Sequence, residues 1–580
     1  MKKYILSSVL ALAVLSSGCE DNLDIEQKGV TTIDNFYQTD EEAEQAMVAA
    51  YQGFLWNVCS WEGASIYVAT HMVFNQCADD VFAAGSNLGD NDFLAAMNEF
   101  RYDADNQVVT TAYKNYYYAL YYSNLVIDHF KDGLPKGGPT ATTKRVVAEA
   151  RVLRAYIHMM LGIGWGNPPK VDHVFSGNEL PVNCPHDELL KWCAQECEEA
   201  ASDLDERKSP TDKDGAAKVT KGLAWAIAGK CYLFLGDYAN CKTNLKKVID
   251  SQKYELVPGA RFEENFHVEG DLNEEKIFEA NYDVNSNVDT WGGQIQRSSW
   301  MEANIWNWRT DHFISSPTVA YSSIDGWGGC GVPKAFADAF IANDGENSYR
   351  LKASIVSVED VIYGKLIDYK DKDGKACSEQ TEDALKASKL IGINSTSDGL
   401  YGQSLYLPLK PVTKSTDLIT PGNNIRLNNY TVMRYAEVLL MYAEACVQTG
   451  DAATAKTYVN MIQQRAGSKT ISETVDMNVI KTEKRYEMWL EGNRWPDMCR
   501  WGEFETAKKA GKEVTKVFDK LFRAKESGDQ ICEEHDRFYS VYAPEATKRN
   551  DTGFKDKYRW FPIPQSVRSL NPGLAQPEGW

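Results

Sequence analysis

The chain has 580 residues, a formal net charge of −20, 43% hydrophobic residues and 25% charged residues. This length can bury a large hydrophobic core, and the composition is ordinary for a globular protein. The strong negative charge argues against nucleic acid and against an anionic bilayer surface as binding partners.

The N-terminus has the features of an export signal. The basic pair Lys2-Lys3 precedes an apolar run, Tyr4–Leu15, which is too short to cross a bilayer. The sequence Leu15-Ser16-Ser17-Gly18-Cys19 resembles a bacterial lipobox, although its leucine lies four residues before the cysteine and not the usual three. We therefore predict a signal peptide at residues 1–18 and a lipid anchor on Cys19, with an ordinary signal peptide as the alternative.

The next segment contains a helix and then an irregular stretch. An amphipathic helix is predicted at Glu41–Phe54, and the chain from Trp61 to Arg101 is irregular and polar. Carboxylate and amide groups can pair with the hydroxyl groups of a ligand, and an aromatic ring can stack on it. The irregular stretch therefore supplies four candidate ligand-binding residues: Asp79, Asp80, Phe82 and Asn87.

Two strong helices follow, at Ala112–Phe130 and Val146–Leu161. Tyrosines recur at helical spacing in the first of them, which favours packing in the core over a groove for a ligand. The glycine-rich segment Gly162–Pro169 is not interpreted as a phosphate-binding loop, because it follows a helix and lacks the Lys-Ser/Thr pair.

Two segments, Lys221–Tyr254 and Asn429–Gly467, each predict a pair of antiparallel helices. In both, small and apolar residues recur at three- and four-residue steps, and a Gly-Asp pair, Gly236-Asp237 or Gly450-Asp451, lies between the helices. Glycine can end a helix in the left-handed conformation, and aspartate can cap the next helix. The pairs resemble tetratricopeptide-type hairpins, but they lie too far apart for a tandem solenoid.

Helical periodicity stops between Asp283 and Pro333, where five of the fifteen tryptophans lie. A long loop in a compact protein is usually functional or disordered, and disordered segments are poor in tryptophan. We predict that at least some of these tryptophans contact a ligand, with packing inside the loop as the alternative for each one. The candidates are Trp291, Trp300, Trp306, Trp308 and Trp327.

Two patterns have a superficial likeness to metal sites. Cys193 and Cys197 lie one helical turn apart, but they are interpreted as buried thiols in a chain whose cysteines are scattered. The sequence Asp371-Lys372-Asp373-Gly374 has its glycine two residues too early for a calcium loop and is interpreted as a solvated turn. We expect no metal site and no cofactor. The segment Leu351–Leu409 around this turn predicts a small strand-and-loop region.

The stretch Val479–Trp501 is predicted as one helix on which acidic and basic residues lie three and four positions apart. This pattern indicates partly buried ion pairs packed under tryptophans. A catalytic role is less favoured, because a catalytic acid needs a raised pKa and neighbouring arginines lower it. The charged residues concerned are Arg485, Glu487, Glu491, Arg494 and Asp497.

Five sequence blocks resemble, in this order, the SusD/RagB family of outer-membrane nutrient-binding lipoproteins of Bacteroidetes. Acidic residues directly after Cys19 also resemble the surface-export tag of such lipoproteins. The blocks are the lipobox, Arg151-Val152-Leu153-Arg154-Ala155 running on to Gly164-Trp165-Gly166 and Pro168, Met433–Leu440 with Ala443-Glu444-Ala445, Glu483–Glu487 with Glu491–Trp495, Asp497 and Arg500-Trp501, and Pro562-Ile563-Pro564 with Asn571-Pro572.

The resemblance implies a mainly α fold, in which tetratricopeptide-like helical hairpins form an α-α superhelical scaffold beside a loop-rich, irregular half that faces the ligand. It implies a single domain at 19–580, with a variable loop-rich region at about 255–428. The helical scaffold would lie mainly at 41–55, 111–165, 217–254 and 430–502.

The resemblance also implies a binding protein that is not an enzyme. Such a protein captures an oligosaccharide at the cell exterior, is tethered to the outer membrane by the lipid on Cys19, and passes its ligand to a SusC-like TonB-dependent barrel. Three alternatives stay open: a peptide or glycopeptide ligand on the same fold, a surface glycosidase, and an assembly lipoprotein without a small ligand.

Overall fold

The computed structural model describes residues 36–59, 69–282, 304–309, 312–314, 326–363, 375–376, 379–381, 383–384, 392–393, 399–418, 426–504, 514–543, 545 and 553–580. Some predictions fall outside these residues, namely those on the signal peptide at 1–18, Cys19, Trp291, Trp300 and the turn Asp371–Gly374. Across the described residues, no helix combines the length and the apolar character that a bilayer crossing needs.

Helices form most of the first half of the described chain, recur between residues 334 and 363, and recur again from residue 435. In chain order they are α1 (Asp40–Phe54), α2 (Ala69–Asn75), α3 (Asp92–Asn98), α4 (Gln107–Phe130), α5 (Ala141–Trp165), α6 (His186–Ala200), α7 (Lys213–Ala216), α8 (Lys221–Phe234), α9 (Tyr238–Asp250), α10 (Lys334–Asp344), α11 (Tyr349–Ser354), α12 (Val358–Tyr363), α13 (Tyr435–Gln448), α14 (Ala452–Ala466), α15 (Met477–Glu487), α16 (Arg494–Trp501) and α17 (Gln565–Leu570).

The strands are short and pair antiparallel. In chain order they are β1 (Phe82–Ala83), β2 (Lys276–Ala280), β3 (Phe313–Ile314), β4 (Cys330–Gly331), β5 (Ile355–Ser357), β6 (Gly392–Ile393), β7 (Leu400–Tyr401), β8 (Tyr406–Pro408), β9 (Tyr430–Arg434), β10 (Thr515–Asp519), β11 (Ile531–Glu534) and β12 (Phe538–Tyr542). One sheet has the order β11-β12-β10-β7, and the other described pairs are β1–β4, β2–β9, β3–β6 and β5–β8.

The two predicted helical hairpins are confirmed as α8–α9 and α13–α14. Gly236 and Gly450 end the first helix of each hairpin with φ of +71° and +80°. The side chains of Asp237 and Asp451 then cap the second helix by accepting hydrogen bonds from the backbone. The hairpins contact each other through α9 and α13, while α6 packs on α5 and α8, so the helical half is continuous.

The second hairpin starts later than its sequence pattern suggests. Asn429–Gly467 was predicted as helical throughout, but Tyr430–Arg434 forms β9 and pairs with β2. Val432 therefore lies in a strand and not on the helical stripe. The partner strand β2 lies far earlier in the chain, so local periodicity contains no sign of this pairing.

The predicted helix Val479–Trp501 is in fact two helices, α15 and α16. Leu490 and Gly492 in the turn between them have φ of +61° and +75°. Pro496 explains the interruption, because proline lacks the N–H that a continuous helix needs but is accepted in the first turn of a new helix.

Two other boundaries also differ. The stretch Trp61–Arg101 was predicted as irregular, yet it contains α2 and α3, which are too short for a clear periodic signal. Helix α5 continues beyond Leu161 to Trp165, because Gly164 allows close packing: a Cβ there would lie 3.2 Å from ring atoms of Phe561.

Two hydrophobic cores meet at the segment 304–309. The main core runs through the helical half and includes Trp165, Trp306 and Phe561. A second core lies against the four-stranded sheet and includes Trp308 and Val517. Residues 304–309 therefore connect the helical half with the loop-rich half.

Candidate functional site

The charged motif near the end of the chain forms a buried ion network. Glu487 of α15 accepts hydrogen bonds from Arg434 at 2.6 Å and from Arg350 at 3.1 Å. Arg465 also contacts this carboxylate, and Arg434 reaches Glu491 at 2.7 Å. Burial alone would raise the pKa of Glu487, but the three arginines lower it well below its usual range. Such a carboxyl is suited to holding elements together and not to acid catalysis.

The five charged residues do form ion pairs as predicted, but the prediction that they pair with one another along one helix is wrong, because their partners lie mostly on other elements. Arg494 Nε lies 2.8 Å from Asp79 Oδ1, and Arg485 contacts the same carboxylate. Asp497, also in α16, pairs with Lys484 of α15 at 2.7 Å. Asp79, a predicted ligand-binding residue, is 3% exposed and is thus a buried partner of arginines.

The structure brings the two predicted ligand-binding segments together. β1 (Phe82–Ala83) pairs antiparallel with β4 (Cys330–Gly331), and Ala84 N donates to Gly329 O at 3.2 Å. The loop that carries Asn87 therefore lies beside the segment that carries the tryptophans.

Backbone hydrogen bonds fix residues 304–309 against the residues that precede β4. Gly328 N donates to Asn307 O at 2.9 Å, and Gly329 N donates to Ile305 O at 2.8 Å. The glycines permit this close approach of two backbones. Because the segment is held by its backbone, its side chains point in defined directions.

Three more candidates are core side chains, which corrects the prediction that they belong to an open binding face. Trp308 is 3% exposed, packs in the second core and donates from Nε1 to Pro408 O at 2.8 Å. Phe82 is 1% exposed and packs with Tyr401, and Asp80 is 2% exposed. For Trp308 and Phe82, burial removes a large apolar surface from water, which stabilises the buried position of the ring over an exposed one.

The remaining described candidates have three different environments. Asn87 is exposed and Trp327 is half-buried. Trp306 is 2% exposed and packs in the main core, so it also does not belong to an open binding face; it lines a cavity of about 140 Å³ whose wall includes residues from both halves of the molecule.

Asp90 orders the exposed side of the junction between the two segments. Its Oδ2 accepts from Ser86 N at 2.8 Å within its own loop and from Arg309 Nη1 at 3.1 Å across the junction. Gly85 has a φ of +151°, and a Cβ there would lie 2.7 Å from the Asp90 carboxylate. These contacts hold the loop tip that presents Asn87.

Asp90 pairs with Arg309, whose side chain lies against Gly328, the residue after Trp327. We name the group of Asn87, Asp90, Arg309 and Trp327 the loop face. It combines a half-buried indole with an amide, a carboxylate and a guanidinium group. Such a set can stack on a flat ring and pair with several hydroxyl groups. Asp90 and Arg309 were not among the predicted residues, because an ion pair between distant loops leaves no local pattern in the sequence.

Comparison with known sequences identifies one family. The sequence model of the SusD family matches residues 274–580. The chain is 26% identical to the starch-binding protein SusD of Bacteroides thetaiotaomicron over 409 residues, which cover 64% of this chain and 67% of that protein. It is 22% identical to SusD-like protein P38 of Formosa agariphila over 534 residues, or 86% of this chain and 92% of that protein.

Comparison with solved structures shows the same fold. Surface glycan-binding protein A from Bacteroides thetaiotaomicron superimposes with a TM-score of 0.70 at 21% identity, covering 94% of this chain and 100% of that chain. A laminarin-binding SusD-like protein gives a TM-score of 0.68 at 20% identity with the same coverage. The predicted fold class, helical hairpins beside a loop-rich half, is thereby confirmed. Because the sequence model of the family matches more than half of its length, the chain belongs to the SusD family.

Proposed function

We propose that this protein binds a glycan at the cell surface without converting it and delivers it to a SusC-like TonB-dependent barrel. The observation that carries the proposal is the loop face. There an indole ring and three polar side chains, from two segments far apart in the chain, are brought together by the β1–β4 pairing and the Asp90–Arg309 ion pair.

The names of the relatives support a saccharide as the ligand. One relative is described as a starch-binding protein, and structures of the same fold are described as laminarin-binding or as complexes with laminarihexaose. Oligosaccharides derived from starch and laminarin are therefore the first probes to use.

The chemistry of the loop face fits a carrier. A stacked aromatic ring contributes about 1 kcal/mol beyond the area that it buries, and each hydrogen bond has a net contribution of about 1 kcal/mol. A few such contacts give an affinity in the micromolar to millimolar range, which allows release to a partner.

Calorimetry against starch and laminarin oligosaccharides tests glycan binding directly. We expect Trp327→Ala and Asn87→Ala each to weaken binding of the responding oligosaccharide by about fivefold to tenfold. Met461→Ala, at a 39% exposed position on α14, should leave it unchanged. Equal loss in all three variants, or undiminished binding in the first two, would refute the assignment of the loop face.

Two other outcomes would favour the alternatives. Binding of peptides in preference to the glycans would change the ligand class on the same fold. Release of reducing ends from a bound oligosaccharide would show a glycosidase and would contradict the carrier function.

Anchoring and delivery require a separate experiment in cells. The wild-type protein should be found in the outer-membrane fraction and should co-purify with a TonB-dependent barrel. Cys19→Ser should release it from that fraction. Co-fractionation of Cys19→Ser with the membrane would contradict the lipid anchor.

A further inference from the structure

A second feature is the cavity lined by Trp306, which shares no residue with the loop face. Residues of the helical half, such as Lys230 and Glu437, contribute one wall of the cavity. Residues of the loop-rich half, such as Lys410 and Arg426, contribute another. The loop face and this cavity are formed by different residues, so that the two can be altered independently.

The size of the cavity matches a single sugar unit. Its volume is about 140 Å³. A site for one water molecule needs roughly 10–15 Å³ by the same measure, so the cavity has room for about ten waters. A pyranose ring with its hydroxyl groups requires a comparable volume.

The lining has the composition of a saccharide site. Trp306 and Phe266 supply aromatic surface, and Asp271 and Asn428 supply polar groups. Phe266 is itself held in place, with the Lys410 ammonium 4.5 Å from its ring centroid. Aromatic rings beside hydrogen-bonding groups can contact the CH face and the hydroxyl groups of one sugar.

Two ion pairs in the lining favour an uncharged ligand. Lys230 Nζ lies 2.7 Å from Glu437 Oε1, and Lys410 Nζ lies 2.6 Å from Glu491 Oε1. A charged ligand would place a like charge beside one partner of these buried pairs and would have to lose its hydration to do so. A neutral polyhydroxyl ligand meets neither cost.

Asp271 is a further polar group in this lining, with a carboxyl group that can form hydrogen bonds. Its carboxyl oxygens lie 3.2 and 3.3 Å from Asn429 N, within the cavity wall. Burial, with a contribution from neighbouring Glu279, raises the pKa of Asp271 to about 8. A raised pKa favours the protonated carboxyl group, which can donate a hydrogen bond to a hydroxyl group.

We propose that this cavity is a second saccharide-binding site, which takes a single uncharged sugar unit. The inference rests on the proposed function in that it assigns the protein a glycan ligand, but it does not depend on the loop face. A terminal or branching unit of the glycan is the part that such a cavity accommodates.

The test uses free monosaccharides with the full-length mature protein. Glucose, galactose, mannose and N-acetylglucosamine are the uncharged probes, and glucuronate and glucosamine are their charged counterparts. Binding is followed by calorimetry and by the tryptophan emission, to which Trp306 contributes. We expect at least one uncharged probe to bind with a millimolar Kd and both charged probes to bind at least about tenfold more weakly.

Two variants test whether this binding takes place in the cavity. Val432 lines the cavity from β9, and Val432→Phe fills part of it without removing a polar group. Asp271→Asn keeps the shape of the side chain while replacing the carboxyl group. Each should weaken monosaccharide binding by about tenfold, whereas Asn87→Ala on the loop face should not change it. Thermal denaturation establishes that both variants are folded, and Asp271→Asn alone suffices if Val432→Phe is not.

The outcomes separate this proposal from the proposed function. Oligosaccharide binding that is lost in Trp327→Ala, with no monosaccharide binding at millimolar concentrations, would overturn the second site and leave the loop face intact. Monosaccharide binding that survives in both cavity variants would also overturn it. A preference for glucuronate or glucosamine would refute the choice of an uncharged ligand.

Discussion

Arg434 illustrates how single residues stabilise this molecule. It is fully buried and contacts Glu275 at 2.7 Å, Glu487 at 2.6 Å and Glu491 at 2.7 Å. Its position between β9 and α13 joins the strand pair β2–β9 to the end of α15. A buried charge of this kind is tolerated only because each of its partners is also hydrogen-bonded.

Replacing Arg434 with Met should destabilise the protein by about 3–5 kcal/mol, because Glu275, Glu487 and Glu491 would each lose one of their positively charged partners. The free energy of unfolding from denaturant titration measures the loss. Lys246→Met is the matched control, since Lys246 forms an exposed i,i+4 pair with Asp250 and should change stability by less than about 0.5 kcal/mol. A loss below about 1 kcal/mol for Arg434→Met would contradict the role assigned to the network.

The free energy of unfolding should decrease at acid pH, and this network should contribute to the decrease. Arginines lower the pKa of Glu487 and of Glu275 in the folded protein, although burial acts in the opposite direction. As the pH falls below about 4.3, the unfolded chain takes up protons that the folded protein does not, so stability decreases. Denaturant titrations between pH 3 and pH 7 should show a shallower acid slope for Glu487→Gln than for the wild type. Equal slopes would refute this origin.

Asp271 should give stability the opposite dependence on pH. Its raised pKa, about 8, means that the folded protein binds more protons than the unfolded chain between the two pKa values. Stability should therefore decrease as the pH rises from about 4 to about 8, and Asp271→Asn should remove this contribution. The difference in melting temperature between Asp271→Asn and the wild type, measured at pH 5 and at pH 8, tests this effect. A difference that is the same at both pH values would contradict it.

At the scale of elements, the sequence predicts correctly the helices whose formation depends on residues close to one another in the chain. The hairpins α8–α9 and α13–α14 were recognised because apolar spacing, Gly and Asp all act within one or two helical turns. The strand β9 was missed because a distant strand determines it. The interruption before α16 was missed although Pro496 is a local signal that predicts it. The same division applies to the site. Trp306 and Trp308 were found as residues, but their burial in two different cores follows from tertiary packing.

The caps of the hairpins provide a test at this scale. Asp451 accepts a hydrogen bond from Thr454 N at 3.2 Å and thereby caps α14. Asp451→Ala should cost about 1 kcal/mol of unfolding free energy, because one amide at the helix start loses its partner. Asp451→Asn is the matched control, since asparagine caps equally well without the charge. If Asp451→Asn and Asp451→Ala lower the unfolding free energy by the same amount, the charge and not the cap stabilises the hairpin.

At the scale of the whole molecule, the tail and the early helices share one core. Phe561 N donates to Gly164 O at 2.8 Å, and Trp165 Nε1 donates to Pro562 O at 3.0 Å. The ring of Phe561 also packs on Trp165 and Phe74. The chain is therefore closed on itself, because residues near its end complete the packing of α2 and α5.

Phe561→Ala should for this reason destabilise the entire protein and not only its tail. A cost of about 3–5 kcal/mol is typical of truncating a buried phenylalanine. Unfolding followed by circular dichroism and by tryptophan emission should shift to the same lower denaturant concentration. Separate shifts for the two signals would show that the tail unfolds independently. Leu570→Ala, at an 83% exposed position in α17, is the control and should shift neither.

This closure has a consequence for biogenesis. While the polypeptide is being synthesised, Trp165 has no carbonyl of Pro562 to bind and Gly164 has no Phe561 beside it, since these partners are translated 397 positions later. The packing of the early helices is therefore incomplete until Phe561 and Pro562 have been synthesised. Such a precursor would be loosely packed, as the export predicted from the N-terminal sequence requires, and we expect its resistance to proteases to appear only after these two residues have been added.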